Sequence, residues 1–201
     1  MTAAEPLRIV ALSAGQRSPS STRALSDALA SAVVEHLAAR GQGSTSRTIE
    51  VRDHALDATC THLSGERSDA LAEAIGTVER ADVLVVVTPV YNGSYSGLFK
   101  TFTDLVRMDA LAGTPVVIGA TGGSVRHSLA VDQELRPLFA VLQATTVPTG
   151  VFAASQDWAA PGQPDAALAA RIDRAGAEAA ALALVRPSVP VPVPAFPATQ
   201  R

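Results

Sequence analysis

The residues best suited to chemistry lie in three short segments, each directly after an apolar run. The first, residues 13–22, holds five hydroxyl side chains and one arginine just before a helical pattern begins. Amides at a helix N-terminus have no partner inside the helix and carry partial positive charge, so they stabilise an anion. This composition favours a phosphate monoester bound by Ser13, Arg17, Ser20, Ser21 and Thr22. Simple helix capping by one of these hydroxyls is the alternative.

The second and third segments offer flat surface and backbone amides rather than reactive side chains. Residues 88–93 follow the apolar run 83–87, and residues 121–124 follow the run 115–120. Adjacent glycines let a backbone approach a ligand closely. We therefore predict a shelf for a planar molecule that supplies its own reactivity, with no catalytic side chain. The predicted shelf residues are Pro89, Val90, Tyr91, Asn92, Gly93, Thr121, Gly122, Gly123 and Ser124.

Strand-like and helix-like patterns alternate along the chain, which predicts a doubly wound α/β sheet. Ligands bind such sheets beyond the carboxyl ends of the strands, so the three segments should meet at one edge. A sheet of five parallel strands, with helices on both faces, favours the flavodoxin-like order. Pro137 predicts a break in its helix, and Pro148 predicts an edge position for the last strand. The predicted strands are residues 7–12, 48–52, 83–87, 115–120 and 146–153; the predicted helices are residues 22–40, 64–80, 96 onward, 126–143 and 166–185.

Bulk composition excludes several classes of function. The chain has 201 residues and a net charge of −3, which gives no basic footprint for nucleic acid or for a membrane surface. We expect one domain over residues 1–185 and a proline-rich, flexible tail over residues 186–201. The lone Cys60 and the lack of a signal peptide favour the cytoplasm. The four histidines show no metal-ligand spacing, so no metal site is expected.

Two stretches carry a specific resemblance. TPVYNGSYSGLFKTFTDLV, residues 88–106, and LAGTPVVIGATGGSVRHSLAVDQELRPLF, residues 111–139, resemble the NADPH-dependent FMN reductase family. The resemblance covers residues 7–185 in order and implies a flavodoxin-like fold, with FMN and NADPH as cofactors and NADH as the alternative to NADPH. It places phosphate contacts on Arg17, Ser20 and Thr22, with Ser13 and Ser21 as neighbours. It places flavin-ring contacts on residues 89–92 and 121–123.

The same resemblance implies an activity and partners. Hydride would pass from NADPH to flavin N5, and reduced FMN would go to a flavin-dependent monooxygenase of the luciferase-like or sulfonate class. Gln133 stands where sulfonate-system members can carry an aromatic residue, which favours the luciferase-like branch. A homodimer or homotetramer is also implied, to which the aromatic stripe Tyr95, Phe99 and Phe102 could contribute. The alternatives are an FMN-holding quinone or azo reductase and a flavodoxin-like electron carrier, although a net charge of −3 argues against a carrier.

Overall fold

The computed structural model describes residues 5–186. The proline-rich tail was predicted over residues 186–201, so all of it except Arg186 lies outside the described residues. The strands are β1 (Leu7–Ser13), β2 (Ser44–Glu50), β3 (Val83–Tyr91), β4 (Ser94–Tyr95), β5 (Pro115–Gly122), β6 (Thr145–Thr146), β7 (Val151–Ala154), β8 (Trp158–Ala160) and β9 (Gln163–Pro164). The helices are α1 (Ser21–Ala38), α2 (Ala55–Ser64), α3 (Asp69–Glu79), α4 (Gly97–Thr103), α5 (Arg136–Val141) and α6 (Ala166–Val185).

The main sheet is parallel and has the flavodoxin-like order. Its strands run β2-β1-β3-β5, and both β6 and β7 pair with β5 at the far edge. The predicted strand 146–153 is therefore two short strands on an edge, and Pro148, which has no N–H to donate, lies in the gap between them. The fold class and the edge position are confirmed, and the continuity of that last strand is wrong.

The sheet is covered on both faces, which explains the uninterrupted apolar run of β3. Residues 83–87 are fully buried. On one face they meet α1 and α6, which contribute Leu25, Leu29 and Leu168 to one apolar cluster. The other face packs against the remaining helices, whose aromatic residues Phe99, Phe102 and Phe139 lie in a second cluster. The predicted aromatic stripe is therefore largely core, because Phe99 and Phe102 are both inaccessible.

Two of the predicted helices and one predicted strand differ from the structure. The predicted helix 64–80 is α3 and begins later than expected, because α2, which was not predicted, ends at Gly65 in the left-handed conformation (φ 77°) and Ser68 then caps α3. The strand predicted at 48–52 begins earlier, and Val51–His54 form a 3₁₀ turn. The predicted helix 126–143 is interrupted: Val125–His127 is a 3₁₀ turn, Val131–Leu135 is a π-helical turn, and α5 starts with Pro137 in its first turn. Within residues 5–186, no helix has the length and apolar character needed to span a bilayer.

Candidate active site

The first segment forms a tight loop because Gly15 leaves room for Ser20. A Cβ at Gly15 would lie 2.1 Å from Ser20 Oγ, which is closer than any real contact. Ser20 Oγ accepts a hydrogen bond from Arg23 N at 3.2 Å and so caps α1. The amides of Ser21 and Thr22 in the first turn have no partner inside the helix. The capping alternative is thus correct for Ser20, while the rest of the turn keeps its donors for a ligand.

A buried hydrogen bond joins the first segment to the third. Thr22 Oγ1 lies 2.8 Å from Thr121 Oγ1, and both residues are buried. These residues are 99 positions apart in the chain, so only the parallel sheet brings them together. The bond fixes the N-terminus of α1 against the carboxyl end of β5. The first and third segments therefore form one surface.

The second segment is mostly strand, where the sequence suggested a loop. β3 continues through Tyr91, and β4 folds back on it, with Val90 opposite Tyr95. Asn92 and Gly93 form the two-residue turn with φ of 50° and 87°, as a tight hairpin requires. Thr88 Oγ1 accepts from Ser96 N at 3.0 Å and closes the base of this hairpin. The shelf is therefore a braced hairpin rather than a loose loop.

The three segments enclose a cavity of about 340 Å³ at the carboxyl edge of the sheet. The predicted residues that line it are Arg17, Ser20, Ser21, Thr22, Pro89, Val90, Tyr91, Thr121, Gly122 and Gly123. Gln16, Pro19 and Ser155 also line it and were not predicted. Gln16 and Pro19 lie within the first segment, so their positions beside the predicted residues could have suggested them. Ser155 has no sequence signal, because β7 brings it to the cavity across the sheet edge.

Four predicted residues do not line this cavity. Ser13 is fully buried beneath the loop, and within residues 5–186 its hydroxyl has no hydrogen-bond partner. Asn92 and Gly93 lie at the hairpin tip, and Ser124 caps the short turn that follows, accepting from Arg126 N at 3.3 Å. The geometry gives these residues supporting positions around the cavity.

Arg17 carries the available positive charge of this cavity. Its backbone carbonyl accepts from Arg52 Nη1 at 3.0 Å, while its guanidinium makes no ion pair or hydrogen bond within the described part of the chain. Arg23, by contrast, bonds Glu50 at 2.8 Å and Asp27 at 2.7 Å. The hydrogen bond with Glu50, and then that with Asp27, raise the pKa of Arg23 and neutralise its charge locally. An anion in the cavity would therefore pair with Arg17.

A second, larger cavity adjoins the first. It has a volume of about 610 Å³ and shares Pro19, Ser20, Ser21, Gly122 and Ser155 with its neighbour. Its outer wall is the β8–β9 hairpin. No sequence pattern predicted this hairpin, because strands as short as these show no periodicity.

Fold and site together define a flavodoxin-like protein with a hydroxyl-rich helix N-terminus beside a flat shelf. The family model for NADPH-dependent FMN reductases matches residues 7–159. The chain is 45% identical over 177 residues to the NADH-dependent FMN reductase SfnE of Pseudomonas putida, covering 88% of this chain and 92% of that protein. It is 40% identical over 153 residues to the FMN reductase (NADPH) of Pseudomonas aeruginosa, covering 76% and 80%.

Solved structures agree with this relationship. An oxidoreductase from Corynebacterium diphtheriae superposes with a TM-score of 0.85 at 40% identity, over 90% of this chain and 99% of that one. The apo form of an NADH:FMN oxidoreductase (EMOB) superposes with a TM-score of 0.72 at 34% identity, over 92% of each chain. The chain therefore belongs to the NADPH-dependent FMN reductase family. It is an oxidoreductase that acts with FMN and a pyridine nucleotide.

The residues present fit FMN. The unpaired Arg17 and the free first-turn amides suit its phosphate, and Thr121–Gly123 with the β3 end suit a planar ring. Gly122 leaves room for Phe152 here, since a Cβ at this position would lie 2.9 Å from Phe152 Cζ. Of the residues described, Arg17 and the phenol of Tyr91 are the ionisable groups that line the cavity, and no carboxylate, imidazole or thiol does so.

Proposed function

We propose that this enzyme takes FMN as an exchangeable substrate, reduces it with NADH or NADPH, and releases it to a flavin-dependent monooxygenase. The observation that carries the proposal is the exposure of the shelf. Tyr91 is 47% exposed, and Arg17 and Gly123 are also exposed at the cavity rim. A ligand held on such a rim keeps much of its surface in water, which limits the free energy lost when it leaves.

In this proposal each loop has a separate task. Arg17, Ser21 and the first-turn amides bind the phosphate, while Ser20 and Thr22 hold that turn in place. Pro89, Val90 and Tyr91 support the ring, and the amides of Gly122 and Gly123 bind its polar edge. FMN, when bound, supplies the hydride-accepting atom N5, so the protein provides binding and orientation. Ser13, Asn92, Gly93 and Ser124 stay predicted flavin-site residues, with supporting roles.

Steady-state kinetics tests the activity and the exchange together. Purified protein should oxidise NADH or NADPH in air only when free FMN is supplied. Varying FMN and nucleotide together should give a sequential pattern. Nucleotide consumption at the no-protein rate would contradict the reductase, and a ping-pong pattern would replace exchangeable FMN with a held cofactor. Accelerated turnover with a quinone or azo acceptor at catalytic FMN would favour the acceptor-reductase alternative.

Single serine variants test the phosphate assignment. Ser21 is exposed in the cavity, and within residues 5–186 its hydroxyl has no partner, so Ser21→Ala should weaken FMN binding with unchanged stability. Ser20→Ala is the matched variant: it removes the N-cap and should lower the free energy of unfolding by about 1 kcal/mol. Isothermal titration with FMN, and with riboflavin as the ligand lacking phosphate, measures the binding. Equal losses for both ligands in Ser21→Ala would contradict the assignment.

We also infer a homo-oligomer in the cytoplasm. Leu56 and Leu63, both on α2, are each 85% exposed, and apolar side chains of this kind favour contact between copies. The chain's single cysteine, Cys60, is exposed and free, as suits a reducing compartment. Light scattering should report a dimer or tetramer, and Leu56→Glu with Leu63→Glu should shift it toward monomer. An unshifted mass would remove α2 from the interface.

A further inference from the structure

We propose that the second cavity binds the adenosine end of the pyridine nucleotide, with the indole of Trp158 as its aromatic wall. This inference rests on the proposed function, since it assigns a place to the reductant of that reaction. The cavity volume of about 610 Å³ lies within the range of roughly 300–1,000 Å³ typical of small-molecule sites. It adjoins the FMN cavity through shared residues, so a dinucleotide can reach from one into the other.

The lining suits a neutral planar ring. Apolar walls are provided by Ala24, Ala153, Ala159, Ala160 and Pro161, and among residues 5–186 no aspartate, glutamate, lysine, arginine or histidine lines the cavity. An aromatic heterocycle gains by leaving water for such walls and by stacking on an indole. A phosphate or a carboxylate placed against these alanine and proline walls would instead be desolvated without a partner. The chemistry therefore favours adenine and its ribose over a charged group.

The wall that carries Trp158 is held firmly in place. Asp157 Oδ2 accepts from Ala154 N at 2.8 Å, and its carboxylate lies 3.5 Å from Arg171 Nη2 on α6. The backbone carbonyl of Asp157 also accepts from Asp165 N at 2.8 Å, just before α6 begins. Trp158 itself packs against the apolar cluster between the sheet and helices α1 and α6. A preorganised wall of this kind binds a ring without an ordering cost.

The described part of the chain places no cation in this lining, which bears on the choice between NADH and NADPH. A 2′-phosphate gains binding energy from a charge-assisted hydrogen bond, and the cavity offers none. Arg17 lines the neighbouring cavity, where the FMN phosphate would occupy it. We therefore expect 2′,5′-ADP to bind no more tightly than 5′-AMP, and NADH to serve at least as well as NADPH.

The chain's single tryptophan makes the binding directly measurable. 5′-AMP is titrated into the full-length protein, with and without saturating FMN, while Trp158 emission is excited beyond the adenine absorption band. Emission should change saturably. Ala24→Leu places a larger side chain in the cavity from α1 and should weaken AMP binding at least about tenfold, roughly 1.4 kcal/mol. Ala170→Leu, the same change at an exposed position of α6, should leave it unchanged.

A second pair of variants keeps the test independent of folding in Ala24→Leu. Trp158→Phe retains an aromatic face and should keep the KM for NADH within about twofold, while Trp158→Ala should raise it about tenfold with the KM for FMN unchanged. No saturable AMP response, or an equal response in Ala24→Leu, would overturn the inference. A response to riboflavin but not to AMP would assign the cavity to the flavin and overturn it too. If NADH is oxidised with FMN but AMP has no effect, this inference fails alone; if AMP binds but NADH is not oxidised, the proposed function fails alone.

Discussion

At the amino edge of the sheet, Arg8 on β1 and Asp82, which precedes β3, form a hydrogen-bonded ion pair. Asp82 accepts from Arg8 N at 2.8 Å, from Nε at 2.9 Å and from Nη2 at 3.1 Å. At the carboxyl edge, Arg17 has no side-chain partner within the described residues, and the first turn of α1 keeps free amides. The same strands thus end in paired charges on one side and unpaired donors on the other. At β1 and β3, therefore, the unpaired donors lie on the side of the cavity, whereas the paired charges of Arg8 and Asp82 lie at the opposite end.

The largest expected effect comes from removing the unpaired charge. Arg17→Met should weaken FMN binding by about tenfold to a hundredfold, because a hydrogen bond to a charged group contributes about 1.5–3 kcal/mol. Riboflavin affinity should not change, since riboflavin has no phosphate. Arg47→Met, which removes an exposed arginine paired with Glu73 on α3, is the matched control, because Arg47 does not line the cavity. An equal loss of riboflavin binding would show that Arg17 acts on the ring or on the loop instead.

Gly15→Ala should have the next largest effect. The added Cβ would lie 2.1 Å from Ser20 Oγ and 3.1 Å from Ser20 Cβ, so the hydroxyl must leave its capping position. We expect a loss of about 1 kcal/mol in the free energy of unfolding and a fall in FMN affinity of about tenfold. Gly43→Ala is the control at the amino edge, because its Cβ would meet only Pro6 Cβ at an ordinary 3.8 Å. Denaturant unfolding and FMN titration measure both quantities; identical results for the two variants would refute a special role for Gly15.

Asp82→Asn should lower stability without changing FMN binding. The ion pair is half-exposed, with Arg8 at 55% side-chain exposure, so the loss should be about 1 kcal/mol or less. Chemical denaturation and FMN titration on the same preparation separate the two properties. A change in FMN affinity here would break the division between the edges.

The smallest effect is the pH dependence of that ion pair. Burial alone would raise the pKa of Asp82, but hydrogen bonds from the Arg8 side chain and backbone more than offset it, so its pKa lies below the usual value. A depressed carboxyl pKa stabilises the fold above the unfolded value of about 3.9 and loses this contribution as pH falls through the folded value. The stability difference between wild type and Asp82→Asn should therefore shrink on acidification below about pH 4. If the stability difference between the two proteins stays constant from neutral pH down to about pH 3, ionisation of Asp82 contributes nothing to stability.

The regular half of the molecule was predictable and the connecting half was not. The run 83–87 and the helix at 166–185 are long and strongly patterned, and both appear where expected. The segment 125–164 divides into short turns, split strands and a hairpin, because Pro137, Pro148 and Gly162 interrupt any period. Helix α2 was not predicted, since three of its residues, Thr59, Cys60 and His62, are weak helix formers.

The sequence by itself determined the order of strands and helices, the hydroxyl-rich and glycine-rich segments, and the family they resemble. These features are local, and residue type and spacing record them directly. Only the tertiary structure decided that Ser20 is a cap, that Thr22 bonds Thr121, and that Ser155 and Trp158 lie beside the site. These contacts join residues from distant parts of the chain, and no local pattern encodes a distance between them. The register of the sheet sets that distance. It also places the Arg8–Asp82 ion pair at the amino edge and the cavity at the carboxyl edge.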